Sequence, residues 1–329
     1  MTSISWLFTA IVVAPTTAWI ALAIHYHVYR PWLRYFVTLV PLIVVGTALM
    51  SLPIFPDAFA VWFGLLVIAT AWWFTLRPKT DRDWACGMEV LPHVEIRDNT
   101  LYVQNFRNFS YTESGEPIRH YEERVYDLTK LSSIDYFLSH WSGPVMAHTL
   151  VSFGFSDQQY LCVSVEARRQ QWQTYSPLWG LFRSYELMFV LGDERDIIRL
   201  RTNFRHENVY MYRLRLPSQH LRRLLLDYVT RIERLAIQPE WYNSITSNCT
   251  TNLFYQRHAN APWWLLPNIV LNGLSARAMY RLGFLDNRLP FEELQARSSI
   301  RERALEAGDA ADFSQKIPQG MEFSSLTTQ

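Results

Sequence analysis

Two residues set the chemical question. Cys249 lies in the run Tyr242-Asn-Ser-Ile-Thr-Ser-Asn-Cys-Thr-Thr251, where a polar cap sequence ending in Asn248 delivers a single thiol to a predicted helix start. A helix N-terminus lowers a thiol's pKa and favours the nucleophilic thiolate. Far upstream, His148 is the polar singularity in the apolar, strand-like run 145–153 (VMAHTLVSF). A histidine and a cysteine that meet in the fold are the minimum parts of a thiol nucleophile with its base. Folding 159–166 onto 145–153 as a hairpin, with Phe153 opposite Gln159, sets His148 opposite Ser164 and Met146 opposite Glu166. Cys162, Ser164 and Glu166 then share the histidine's face. The chemistry this predicts is acyl transfer. Cys249 attacks an ester or amide carbonyl and His148 takes and returns the proton. Glu166 orients the imidazole, with Ser164 in reserve. Backbone N–H groups at the helix start, with Tyr242 or Asn248 as side-chain donors, hold the oxyanion. The plainer reading makes His148 a satisfied strand residue, Cys249 a packing residue and Asn248 a helix cap.

The remaining composition narrows the field. The other cysteines, Cys86 and Cys162, show neither metal-ligand spacing with Cys249 nor a disulfide framework. Cys162 reads as a small buried hydrophobe. No metal or organic cofactor is indicated. A net charge of +1 gives no electrostatic case for nucleic acid. The acidic group Asp193-Glu-Arg-Asp196 reads as a solvated turn with local ion pairs. Arg195, Arg199, Arg201 and Arg205 read as a polar strand face, or as contacts to lipid phosphates. Of thirteen tryptophans, eight fall in the first eighty residues or at Trp263 and Trp264, as in proteins that work at a bilayer interface.

The elements that must position these residues fall into two parts. Residues 5–25 carry no Asp, Glu, Lys or Arg and are long enough to span a bilayer, and Pro15 is tolerable there. Apolar stretches at 36–52 and 58–76 are separated by a turn at 53–57. Three spans are preferred to two, and the first is read as a retained anchor. Arg30 and Arg34, and then Arg77, Lys79 and Arg82, flank the spans; the positive-inside rule places both groups in the cytoplasm. From Thr80 the pattern changes to a soluble domain. Strands are predicted at 101–109, 121–128, 145–153, 159–167, 185–191 and 209–216. An amphipathic helix runs from 217 to 237, a second from Cys249 to about 258, and a short charged one over 297–307. The expected fold is α+β: a membrane anchor over 1–79, an antiparallel-sheet domain over 80–320 and a disordered tail over 321–329. Trp172, Trp179, Leu181 and Phe182 are candidates to line an apolar channel.

The runs RPKTDRDW (77–84), QNFRNF (104–109), AHTLVSFGF (147–155), VEARR (165–169), YEL (185–187), DERD (193–196) and YN…NCTT (242–251), in this order, resemble the bacterial Lnb N-terminal periplasmic domain family. The resemblance extends over roughly residues 77 to 320, including LPFEEL at 289–294. It implies a cysteine-dependent enzyme of the lipoprotein N-acyltransferase type, on a permuted papain or NlpC-like fold. It further implies a Cys249 thioester, His148 as base, and a polar residue one strand later that Glu166 matches. Membrane lipid would be the acyl donor and a lipoprotein a partner. The domain would face the periplasm at the inner membrane, against the charge count above. The best characterised member type carries further membrane helices after the domain, so the resemblance speaks more to fold than to acyl transfer. Three functions are carried forward: a membrane-anchored thiol acyltransferase or hydrolase, an NlpC-like cell-wall amidase or cysteine peptidase, and a non-catalytic envelope scaffold.

Overall fold

The computed structural model describes residue 7 and residues 9–51, 55–253, 267–268 and 271–321. The predicted helix beyond residue 253, Trp263, Trp264 and most of the tail lie outside the described residues.

The charge-free N-terminal segments are helical, as a chain that must satisfy its own backbone in lipid requires. A π-helical turn, Thr9–Val13, leads into α1 (Ala14–His27), followed by α2 (Pro31–Ser51) and α3 (Phe55–Thr75). Three helices are long and apolar enough to cross a membrane, over Thr9–His27, Pro31–Met50 and Asp57–Thr75. Pro15 lies just after the π-helical turn, inside the continuous helical span Thr9–His27, a break that a membrane helix tolerates. Val13, Val45 and Trp62 pack between the helices, and the Trp62 indole donates to Thr16 Oγ1 at 3.0 Å. The end of α1, the start of α2 and the end of α3 all lie toward the soluble domain.

That domain is built on an eight-stranded sheet of order β1-β2-β9-β8-β7-β6-β10, with β5 also paired to β2. The strands are β1 (His93–Arg97), β2 (Thr100–Arg107), β5 (Tyr121–Asp127), β6 (Leu131–Ser142), β7 (Met146–Phe155), β8 (Tyr160–Arg168), β9 (Glu186–Gly192) and β10 (Asn208–Arg213). The short strands β3 (Ser110–Tyr111) and β4 (Pro117–Ile118) form a separate pair. The architecture is α+β, but the sheet is mixed and not purely antiparallel. β2 joins β9 through one parallel bridge, Arg107↔Gly192. Glycine is required at that junction, because a Cβ on residue 192 would sit 2.5 Å from the Arg107 carbonyl oxygen.

β6 has no counterpart among the predicted strands. Its residues 134–139 are all buried, so the alternation that marks a half-exposed strand is missing from its sequence. The amphipathic helix α5 (Ser218–Ile237) covers one face of the sheet with Leu221, Leu225, Tyr228, Ile232 and Leu235, against Val151, Phe153 and Phe189. On the other face, Phe137, Leu150, Cys162, Met188 and Val190 pack with Ile197, Ile198, Ile300 and Phe313. The charged helix expected over 297–307 is two helices, Phe291–Arg297 and Arg301–Ala307. The break lets the backbone bond to β10: Met211 N–H donates to the Ser298 carbonyl and Ile300 N–H to that of Val209.

The group 193–196 is not a solvated turn. Asp193 caps the helix α4 (Glu194–Arg199), while Glu194 and Asp196 are fully buried. Asp196 takes a bidentate pair from Arg107 at 2.8 and 3.1 Å, the Phe109 N–H and the Tyr111 hydroxyl. The arginines that follow lie on α4 and the turn after it, and not on a strand. Arg195 donates to Asn108, Arg199 pairs with Asp309, and Arg201 reaches Glu166 and Glu207.

Glu194 has no cationic partner comparable to Arg107. It sits beside Ser152 and Ser314, and desolvation raises its pKa from 4.5 to about 8. The folded state therefore holds a proton that the unfolded state releases, and stability falls as pH rises from about 4.5 to about 8. Glu194→Gln should remove most of this fall. Thermal unfolding at both ends of the window should show a higher Tm than wild type at the alkaline end and little difference at the acid end. Equal shifts at both ends would count against a buried neutral carboxyl.

Candidate active site

The site is made where the sheet opens. The β7–β8 ladder runs through Phe153↔Leu161 and stops at Leu150↔Ser164. Beyond it, β7 continues with β6 to Met146↔Ser142, and β8 continues with β9 to Arg168↔Glu186. The two strands thus separate. The helix that begins with Cys249, α6 (Cys249–Leu253), packs against both. The observed register differs by two residues from the predicted one, because the hairpin reverses over 156–159, with Gln158 at a φ of 65°. A slip of two keeps every side chain on its face. Continued past the last bridge, this register brings Glu166, and not Ser164, opposite His148.

Asn248 and Thr251 fix the start of α6 reciprocally. The Asn248 Oδ1 accepts from Thr251 N–H at 2.8 Å, and Thr251 Oγ1 accepts from Asn248 N–H at 2.7 Å. Asn248 Nδ2 donates to the Ser244 carbonyl at 2.9 Å. Its side chain is thereby engaged in capping through Oδ1, with one of its two amide hydrogens committed to Ser244. Cys249 is buried in the fork.

His148 stands beside the thiol. Its Nε2 lies 2.8 Å from Ser164 Oγ and 3.3 Å from Glu166 Oε1, and Ser164 Oγ donates to the same carboxylate oxygen at 2.6 Å. His148 and Cys249 are also close enough for each to act on the other's ionisation. With Nε2 directed at Ser164 and Glu166, Nδ1 is left to face the sulfur. Burial opposes ionisation of the thiol, but His148, by charge and hydrogen bond, and the hydroxyl and N–H of Thr149 outweigh it and lower the Cys249 pKa from 9.0 to about 7. Burial and Arg201 depress the His148 pKa, but Glu166 and Cys249 more than offset them and raise it. Glu166 is desolvated too, yet His148, Arg201 and Ser164 hold its pKa well below the usual range. The arrangement favours a thiolate and an imidazolium together at neutral pH.

Three further residues belong to the site and were not anticipated. Arg201 donates to Glu166 Oε1 at 3.1 Å and to Glu207 at 3.4 Å, and Ser139 completes the chain by donating to Glu207. Its place in an arginine-rich run concealed it, because such runs are commonly solvated. Thr149, immediately after His148, lies just past the last β7–β8 bridge and offers its N–H to the thiol. Asn272 Nδ2 is 2.9 Å from Cys249 Sγ; no spacing signal links the two residues in sequence. Tyr242 is buried, and desolvation first, then the Cys249 and Tyr175 charges, hold its hydroxyl well above its ordinary pKa. It stays a proton donor, 3.5 Å from the Tyr175 hydroxyl. Among the described residues, no group of three or more His, Cys, Asp or Glu side chains could hold a metal ion.

Residues 119–271 match the sequence profile of the Lnb N-terminal periplasmic domain. Over this segment the chain is similar to the Lnb N-terminal periplasmic domain. No curated protein and no solved structure matched it in the comparisons made. The matched segment of the Lnb domain includes His148, Glu166 and Cys249, and it ends just before Asn272.

The loop between β8 and β9 ties this domain to the membrane anchor. Trp172, Trp179, Leu181 and Phe182 meet the ends of the membrane helices. Tyr26 of α1 contacts Phe182 and Trp179, each with ring centroids 5.1 Å away. Arg34 of α2 lies over both Trp172 and Trp179, at 5.3 and 5.2 Å. Trp179 stacks on Tyr185 at 6.2 Å, and Tyr185 meets Tyr242 at 6.5 Å. Aromatic contacts therefore run from the end of α1 to a hydroxyl close enough to feel the charge on Cys249.

Glu166→Gln keeps the shape of the network and removes its charge. His148 should then hold its proton less tightly, and the pH midpoint for Cys249 alkylation should rise from about 7 by about one unit, slowing reaction at pH 7 by about fivefold. Rates of iodoacetamide modification across pH measure this directly; an unshifted midpoint would show that Glu166 does not act on the pair.

Proposed function

We propose that this protein is a membrane-anchored, cysteine-dependent enzyme that transfers or hydrolyses acyl groups of phospholipid or lipoprotein. The observation that supports the reading is the chain of aromatic contacts from α1 to Tyr242, whose hydroxyl feels the charge on Cys249. A cell-wall peptidase needs no such contact with the membrane helices, and a scaffold needs no thiol held near pKa 7.

In this mechanism the Cys249 thiolate attacks the ester carbonyl of a lipid acyl chain. His148 gives its Nδ1 proton to the departing alkoxide, leaving a thioester on Cys249. The acceptor, an amine or water, then gives its proton to His148 as it attacks the thioester. Glu166 and Ser164 hold the imidazole by Nε2, so that the same nitrogen faces sulfur in both half-reactions. Arg201 fixes Glu166 from the other side. The permuted papain or NlpC-like arrangement suits this order of histidine and cysteine. The family's character favours a periplasm-facing domain on the inner membrane. The arginines at this boundary need not dictate the opposite topology, since the positive-inside rule weakens for long folded domains.

Intact-mass spectrometry of the protein incubated with phospholipid vesicles tests the proposal. Wild type should gain a fatty-acyl mass that hydroxylamine removes, and Cys249→Ser and His148→Ala should not. A peptide-derived adduct in its place would favour the peptidase. The absence of any adduct, with Cys249 alkylating no faster than a free thiol, would favour the scaffold.

A further inference from the structure

The thiol has a partner from a part of the chain outside the matched family segment. Asn272 opens a short 3-10 turn, Asn272–Leu274, that docks on the first residues of β7. The docking is close. Gly273 N–H donates to the Val145 carbonyl at 2.9 Å, and a Cβ on Gly273 would collide with the Pro144 and Val145 carbonyls. Behind the turn, Ser275 Oγ bonds the Asn272 carbonyl and the Tyr136 hydroxyl, the latter at 2.7 Å. Asn272 is thus held by its neighbours on both sides, and its side chain is directed at the fork.

Its amide nitrogen has two hydrogens and two partners. One partner is the Ala147 carbonyl at 3.3 Å, next to His148; the other is Cys249 Sγ at 2.9 Å. Both accept, so the amide orientation is determined: a flipped group would set Oδ1 against an oxygen and a thiolate. The Oδ1 atom is buried and has no hydrogen-bond partner among the described residues. A structural asparagine would use its carbonyl. This one uses only the two hydrogens, of which one anchors the group and the other meets the sulfur.

We propose that Asn272 is the side-chain oxyanion donor of the Cys249 reaction, a role that rests on the acyl-transfer reading above. As Sγ bonds to the carbonyl carbon, the C=O electron pair moves onto oxygen. That oxygen is two bonds from sulfur, so the N–H that met the thiolate reaches it with a small shift. When the adduct collapses, C=O re-forms, the ester C–O bond breaks, and the alkoxide leaves with the His148 proton. Asn248 is placed differently: its Oδ1 caps the helix and its amide nitrogen bonds the Ser244 carbonyl, whereas the Asn272 amide meets the sulfur itself. Tyr242 remains a second donor.

The test compares two reactions of the same sulfur in the full-length protein. Acylation by p-nitrophenyl octanoate passes through an oxyanion; displacement on iodoacetamide does not. Asn272→Leu should slow acylation of Cys249 by about 10²-fold or more. Alkylation measured well above the thiolate midpoint should stay within about twofold of wild type, and Asn272→Gln should recover part of the acylation rate. Equal losses in both reactions for both variants would make Asn272 a structural residue, and unchanged acylation in Asn272→Leu would also overturn the proposal. A wild-type protein that alkylates fast yet takes no octanoyl group would instead overturn the acyl-transfer reading, and the oxyanion role with it.

Discussion

The site depends on an interruption in the sheet. Had β7 and β8 stayed paired past Leu150↔Ser164, the N–H of Thr149 and the space beside His148 would have been taken up by the ladder. Because the strands part there, a helix start can enter between them and bring a buried thiol to an imidazole. Desolvation by itself would make that thiol inert. The nearby imidazolium, and the carboxylate behind it, reverse the outcome, and Arg201 and Ser164 keep that carboxylate charged. A buried chain of alternating charge is stable only if every member is partnered. The chain from Cys249 to Glu207 meets that condition at each link.

The same fork lies close to the membrane side of the domain. Glu186, at the start of β9, pairs with Arg82 at 2.7 Å and accepts from the Lys79 N–H, so the segment leaving α3 is tied to the strand that borders β8. Arg183 donates to the Trp73 carbonyl at 2.8 Å and stacks on its ring. These contacts, with those of Tyr26 and Arg34, orient the domain on its anchor through groups suited to the water–lipid boundary. Several of the cations that complicate a charge-based topology are engaged in this junction.

Much of this was legible in the sequence. Strands with one exposed face announced themselves by alternation, as in 101–109, and α5 by its apolar stripe. His148, Ser164 and Glu166 could be selected because each is polar amid apolar neighbours, and Cys249 because a polar cap sequence delivers it to a helix start; parity alone put the first three on one face. What stayed hidden has a common physical cause. β6 is buried on both faces and so carries no period. The acidic group at 193 and the arginines after it have the composition of a solvated turn, and only tertiary contacts reveal that Asp196 and Arg201 are internal. Asn272 is an ordinary asparagine until the close approach permitted by Gly273 carries it to the sulfur.

The central claim is that Cys249 and His148 exist as a thiolate and an imidazolium that sustain each other. Nitrogen-15 NMR of the histidine rings in detergent-solubilised protein tests it most directly. The account predicts that His148 is doubly protonated at neutral pH in the wild type, and that in Cys249→Ser it loses its proton at a lower pH. A His148 that is neutral at pH 7 and titrates identically in both proteins would contradict it.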